Sequence, residues 1–200
     1  MSIFLPPATR ALILATVAVF LLQLAIGAPM EIWFALWPLG SRLFEPWQLI
    51  TYAFLHDRQL LAHILFNMFA VFMFGRALED YWGARRFLIF YLICAFTAAL
   101  TELVVERVTG EGGPVLGASG SVFGLLLAFA WYFPRQRVIL LLLPIPLPAW
   151  LFVSLYGVME LFLGVTGQQQ GVAHFAHLGG MLGGLLCILY WRTRAPQRRW

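Results

Sequence analysis

The sequence predicts an all-α polytopic membrane protein, a bundle of six transmembrane helices with both termini in the cytoplasm. Its 200 residues are 62% hydrophobic and only 11% charged, whereas a soluble domain carries about 25% charged residues to cover its surface. The apolar residues form long runs separated by charges and turn residues, and a helix of about 20 apolar residues crosses the hydrocarbon core of a bilayer. The basic residues, all arginines, collect mainly at one end of these runs.

The runs give the boundaries of the spans. Cutting the chain at its charges and turn residues gives one membrane domain, residues 1–200, with spans at about residues 11–30, 60–78, 87–105, 118–133, 149–164 and 172–191. The apolar stretch from Val138 to Leu143 is too short to span, and prolines 144, 146 and 148 prevent a helix there. We therefore expect a loop between the fourth and fifth spans.

The arginines predict the orientation. With the N-terminus inside, ten arginines face the cytoplasm and three (Arg42, Arg58 and Arg107) face outward, which the positive-inside rule favours. The first span could instead be a signal peptide cleaved after Ala28, although Pro29 directly after that bond disfavours cleavage.

The composition also excludes several functions. The apolar content rules out soluble, disordered and collagen-like chains, and no nucleic-acid partner is expected. Cys94 and Cys187 lie inside apolar runs and are predicted to be small core residues without a disulfide.

Polar residues inside spans are costly to bury and therefore indicate function. The candidates here are His63, Asn67, Ser119, Glu160, His174 and His177. Ser119 lies 16 residues before Arg135, and His177 lies 15 residues before Arg192. At 1.5 Å per residue these are roughly 24 and 22 Å from the same membrane boundary. A hydroxyl and an imidazole at matching depth are what a serine nucleophile and its general base require.

Small residues accompany both side chains. Gly120 and Gly124 follow the serine at four-residue spacing, and the sixth span carries glycines at 179, 180, 183 and 184. Such ridges allow close helix contact, although they also occur in many helix pairs without chemistry. Pro114 and Gly117 precede Ser119, so the fourth helix is expected to begin near the serine and to leave its first amides free for an oxyanion.

His63 and Asn67 are four residues apart and share one helix face. The Asn67 amide is a candidate oxyanion donor. The alternative is a structural hydrogen bond between helices.

Three motifs together carry a family resemblance: a His-x-x-x-Asn at His63 and Asn67, Gly117-Ala-Ser119-Gly120, and an Ala-His-Leu-Gly-Gly centred on His177. On the second, fourth and sixth spans, they resemble the rhomboid intramembrane serine proteases. The segments from Trp47 to His56 and from Gly75 to Gly83, with Glu79, are also similar to that family.

The resemblance implies a rhomboid-like six-helix fold and a catalytic dyad without a carboxylate, in which Ser119 is the nucleophile and His177 is the base. The oxyanion would be held by Asn67, His63 and the Ser119 amide, with supporting roles for Gly117, Gly120, Phe123, Gly180 and Gly184. It also implies no metal and no cofactor. The residues agree that no acid serves a triad, because the only aspartates, Asp57 and Asp80, lie outside the spans.

Some alternatives stay open in the site itself. His174 lies three residues before His177 and is a competing base, although His177 directly precedes the glycines. Phe123 could pack on the imidazole where some relatives carry tyrosine. Trp47-Gln48 replaces a common Trp-Arg pair of the family, which puts the anchoring of the first loop in doubt.

The expected activity is cleavage of single-span membrane proteins within the lipid bilayer of a bacterial plasma membrane. The alternative is a catalytically inactive relative that binds membrane clients. A transporter is disfavoured because few intramembrane charges are available, and a metalloprotease is disfavoured because His-Glu-x-x-His is absent. Substrate is expected to enter between spans two and five, past bulky fifth-span residues facing the membrane: Trp150, Phe152, Leu155 and Phe162.

Overall fold

The computed structural model describes residues 5–110, 112–139, 145–167 and 173–194. Within these ranges the chain is an all-α membrane bundle, which confirms the predicted fold class. Five helices are long and apolar enough to cross a membrane, and a sixth apolar helix is shorter. The side of the membrane that holds the termini stays a prediction from the arginine pattern.

The helices follow one another in this order: α1 (Pro7–Ile26), α2 (Ala28–Phe34), α3 (Gln48–Thr51), α4 (Leu61–Ala70), α5 (Arg76–Trp82), α6 (Ala84–Thr109), α7 (Ser119–Tyr132), α8 (Ala149–Thr166) and α9 (His174–Arg194). A π-helical turn, Val71–Gly75, joins α4 to α5, so Leu61–Trp82 crosses as one helix. Two short strands, β1 (Arg137–Val138) and β2 (Leu147–Pro148), pair antiparallel in the connection predicted to be a loop. Residues 140–144 of that connection lie outside the described residues.

The first span differs from its predicted boundaries. Helix α1 ends at Ile26 because Gly27 adopts a φ of 81°, and α2 then begins with Ala28 and Pro29. The last residues of the predicted span therefore belong to a separate short helix. The sixth span was predicted from residue 172, which lies outside the described residues.

Helices α6, α7 and α9 form the centre of the bundle. Gly180 of α9 lies directly against Gly120 of α7, and a side chain at Gly180 would overlap the Gly120 carbonyl oxygen. One turn further on, a Cβ at Gly184 would lie 3.4 Å from the Cα of Gly124. This pair of glycine ridges brings the backbones of α7 and α9 together beside Ser119.

The remaining glycines of α9 serve a different neighbour. Gly179 and Gly183 face Thr101 and Thr97 of α6, with no room for a side chain at either position. The four glycines therefore form two separate faces, and α9 is packed closely on both sides.

The first loop is anchored despite its Trp47-Gln48 sequence. The buried Gln48 amide donates to the carbonyl oxygens of Leu43 (2.9 Å) and Trp33 (3.3 Å), and its oxygen accepts from the Trp37 amide (3.2 Å). The Trp47 indole also donates to the Trp33 carbonyl at 2.9 Å. Glutamine thus ties this loop together with uncharged hydrogen bonds, which removes the doubt raised by the missing arginine.

Helix α8 packs on α7 and α9. Trp150, Leu155 and Phe162 are exposed on its outer side, as predicted. The prediction for Phe152 is wrong, because this ring is 8% exposed and packs against Tyr156 within the bundle. Phe152 lies two residues after Trp150, and a helix turns about 200° over that distance.

Candidate active site

Ser119 and His177 lie together at the starts of α7 and α9. The His177 Nε2 atom is 2.9 Å from the Ser119 Oγ atom. Gly120 follows Ser119 by one residue, and Gly180 follows His177 by three. The close contact between these two glycines therefore brings the serine and the histidine together. The distance is that of a hydrogen bond between a nucleophile and its base.

A third residue completes this arrangement, and the sequence analysis was wrong to exclude it. The Glu160 Oε2 atom of α8 lies 2.8 Å from the His177 Nδ1 atom. Glu160 is 3% exposed. The error came from considering only the aspartates as the acid of a triad, although Glu160 was already among the candidate polar residues within the spans. A lone carboxylate in an apolar helix was the signal that could have found it.

His174 contacts the same carboxylate. Its Nδ1 atom lies 2.7 Å from the Glu160 Oε2 atom, and its other ring nitrogen is buried without a hydrogen-bond partner among the described residues. Of the two candidate bases, the structure places His177 against the serine and His174 against Glu160.

The hydrogen bonds assign the tautomer of His177. A carboxylate accepts but does not donate, so the proton of a neutral His177 ring lies on Nδ1, facing Glu160. Nε2 then presents its lone pair to the Ser119 hydroxyl. This is the form in which an imidazole accepts a proton from serine.

Phe123 fixes the orientation of the imidazole from one face. Its ring stacks on the His177 ring, with centroids 4.3 Å apart and ring planes 9° from parallel. Tyr156 of α8 packs on Phe123 at 4.8 Å between centroids. The His177 ring is therefore held by packing on its face and by hydrogen bonds at both nitrogens.

The His63 ring lies close against Gly117, beside the serine. Gly117 has a φ of 131°, and a Cβ there would lie 2.9 Å from the His63 Nε2 atom and 3.8 Å from the Ser119 Oγ atom. The Asp57 amide donates to His63 Nδ1 at 3.3 Å, so a neutral His63 ring carries its proton on Nε2. That N–H borders the space next to Ser119, where a developing oxyanion would need a donor.

Asn67 lies one turn after His63 on α4. Its side-chain amide donates to the His63 carbonyl at 2.8 Å, and an amide nitrogen carries a second hydrogen that can donate elsewhere. The amides at the start of α7 supply further donors, because the first N–H groups of a helix have no acceptor within it. The structure thus places the His63 ring near Ser119 and Asn67 one turn away on the helix that carries His63.

The sequence analysis did not assign His56 to the site. This buried ring packs edge-on against His63, with centroids 5.0 Å apart. Burial lowers the pKa of His56 to about 3, so the ring is uncharged at neutral pH. An uncharged ring therefore lies beside His63.

Glu160, His174 and His177 also form a compact set of potential metal ligands. One ligand atom from each lies within 4.8 Å of the others, and all three residues are buried. Among the described residues, this set combines imidazole and carboxylate groups, which bind transition metals.

Comparison with known proteins identifies the family. The Rhomboid domain model matches residues 43–194. The chain is 34% identical over 139 residues to Rhomboid protein 1, mitochondrial, of Saccharomyces cerevisiae, covering 68% of this chain and 40% of that protein. It is 32% identical over 144 residues to Presenilin-associated rhomboid-like protein A, mitochondrial, of Danio rerio, covering 67% and 36%.

A bacterial protein is also similar. The Rhomboid protease GluP of Bacillus subtilis is 29% identical over 140 residues, which cover 70% of this chain and 25% of that protein. The chain thus matches less than half the length of each of these relatives. The residues that match the Rhomboid domain model, 43–194, contain α4 to α9 and every residue of the site described above, and this multi-pass membrane protein belongs to the rhomboid family.

Proposed function

We propose that this protein is an intramembrane serine endopeptidase that cleaves transmembrane or membrane-adjacent segments of other membrane proteins. The observation that carries the proposal is the linear arrangement of Ser119 Oγ, His177 and Glu160, with hydrogen-bond distances of 2.9 and 2.8 Å on the two sides of the imidazole. Family membership supports the reaction class, since the rhomboid family includes serine intramembrane proteases.

In the proposed reaction, Ser119 Oγ attacks the carbonyl carbon of the scissile peptide while its proton moves to His177 Nε2. Glu160 keeps the Nδ1 proton in place and stabilises the imidazolium that forms. The oxyanion accepts hydrogen bonds from the first amides of α7, from His63 Nε2–H and from Asn67. His177 then gives its proton to the leaving amine, and water hydrolyses the acyl-enzyme by the reverse sequence.

The proposed substrates are single-span membrane proteins. A transmembrane helix hides its carbonyl groups in intrahelical hydrogen bonds, so it must unwind locally before a carbonyl meets Ser119. Entry between α4 and α8 is part of the proposal, because α8 begins after a proline-containing connection and presents exposed Trp150 towards the surroundings of the bundle.

The alternative is an inactive rhomboid-like protein that binds membrane clients. The retention of serine, histidine and a buried carboxylate in hydrogen-bond contact favours activity, because a client-binding surface does not need this arrangement. The bacterial plasma membrane expected from the sequence is not supported, because two of the three named relatives are mitochondrial by name. The proposal is therefore restricted to a multi-pass membrane protein.

A fluorophosphonate probe tests the proposal, because it reacts with activated serines. The detergent-solubilised protein should be labelled once, and Ser119→Ala should abolish both labelling and cleavage of a model transmembrane substrate. Ser121→Ala is the matched control: Ser121 lies on the same helix, but its hydroxyl donates to the Tyr91 carbonyl at 2.9 Å. Absence of labelling in folded wild-type protein would favour the inactive relative.

A further inference from the structure

The carboxylate of Glu160 serves two histidines through one oxygen atom. Both Nδ1 atoms, of His174 and of His177, contact Oε2, at 2.7 and 2.8 Å. A serine peptidase needs only one of these contacts, since His177 alone reaches Ser119. The proposed reaction leaves His174 without a role, although its burial, with 5% of its surface exposed, is costly.

We propose that Glu160, His174 and His177 form a binding site for Zn²⁺, and that zinc at this site inhibits the peptidase. The ligand atoms are Glu160 Oε2 and the Nδ1 atoms of the two histidines, with water as the fourth ligand. The inhibitory part rests on the proposed function, whereas the binding part does not.

The ligand set fits zinc in type and number. Two imidazoles and one carboxylate with a fourth position for water are a set that proteins use to bind Zn²⁺. The three atoms already converge within 4.8 Å. Zinc bonds of about 2.0–2.2 Å in a tetrahedron place ligand atoms roughly 3.4 Å apart, so the contacts of His174 and His177 with Oε2 need to lengthen by about 0.7 and 0.6 Å. Rotation of three side chains about their own bonds supplies that change.

The inhibition follows from the tautomer of His177. Without metal, Nδ1 carries the ring proton and Nε2 accepts from Ser119. When zinc binds Nδ1, the ring proton moves from Nδ1 to Nε2. The ring therefore stays neutral and its number of protons does not change. Nε2–H can donate to the serine oxygen but cannot accept its proton. The serine therefore loses its general base while every catalytic side chain is still present.

Binding is tested first without any reference to activity. Tag-free protein in detergent is titrated with Zn²⁺ by calorimetry and with Co²⁺, whose visible absorption becomes intense in a tetrahedral site. One ion per protein is expected. His174→Asn should weaken binding at least 10-fold, because the amide can still donate to Glu160 but is a poor zinc ligand. Ser119→Ala is the matched control, and it should bind zinc like the wild type.

Cleavage is then measured with and without zinc for each active variant. The wild type should lose activity at the zinc concentrations that fill the site, and His174→Asn should lose much less of its own zinc-free rate. Absence of one-to-one binding by the wild type, or equal binding by His174→Asn, overturns the site. Binding without inhibition in an active enzyme overturns the inhibitory part. If the protein binds zinc but never cleaves or reacts with the serine probe, the proposed function fails and the site stands.

Discussion

Replacing Glu160 with glutamine tests whether the buried carboxylate contributes its charge to catalysis. Both histidine contacts go to the same oxygen, Oε2. Glutamine can place its single carbonyl oxygen there and still accept from both Nδ1–H groups, with its amide in the position of the other oxygen. The substitution therefore preserves the tautomer of His177 and removes mainly the negative charge.

The structure sets the size of the expected effect. Hydrogen bonds to charged groups contribute about 1.5–3 kcal/mol and neutral ones about 0.5–1.5 kcal/mol. The imidazolium exists only during reaction and the glutamine keeps a neutral hydrogen bond, so about 1–1.5 kcal/mol of stabilisation, the difference between the two kinds of bond, is lost in the transition state. At about 1.36 kcal/mol per tenfold change in rate, kcat should fall about 5- to 13-fold with little change in KM. Glu160→Ala should fall further, because it leaves two buried histidines without their acceptor.

The assay is cleavage of a model transmembrane substrate in detergent or liposomes, with kcat and KM determined for each variant. Glu31→Gln is the control, since this carboxylate pairs with Arg58 outside the site. A wild-type kcat in Glu160→Gln would refute the reasoning. A fall of about 10⁴-fold would instead indicate that the glutamine amide donates to His177 and inverts its tautomer.

Three further predictions concern the oxyanion, the entry of substrate and the ion pair of Glu31 with Arg58. Asn67→Ala should lower kcat by about 10- to 1,000-fold with a smaller effect on KM, since one oxyanion donor contributes about 2.7–4 kcal/mol where no other donor replaces it. An unchanged kcat would mean that Asn67 has only a structural role, through its hydrogen bond to the His63 carbonyl. Trp150→Ala should raise cleavage of a membrane-embedded substrate more than cleavage of a soluble peptide, and equal effects on both would argue against gating by α8. The hydrogen bond from Arg58 holds the pKa of Glu31 below its ordinary value of 4.5. In thermal unfolding, the wild type should therefore be slightly more stable than Glu31→Gln above pH 4.5, and this difference should disappear as the pH falls through the lowered folded-state pKa. A difference that persists at lower pH would contradict this.

The sequence by itself determined the class of fold and the helices that carry the site. Run length and low charge suffice for this, because a bilayer accepts only long apolar helices or closed barrels. The matching depths of Ser119 and His177 were also available from residue counts, since the rise of a helix is fixed at 1.5 Å per residue. The glycines at 120 and 180 indicated which faces meet, because close backbone approach needs small residues.

Only the tertiary structure decided what lies around the imidazole. Counting along a helix gives the depth of Glu160 but not the neighbour that its side chain faces, which depends on how α8 is rotated and packed on α9. The same limit explains the error at Phe152, which is buried. Helix α8 is apolar on nearly every side, and in such a helix the pattern of residues does not separate the lipid-facing side from the inner side. The contact of two histidines with one carboxylate oxygen therefore had to come from packing.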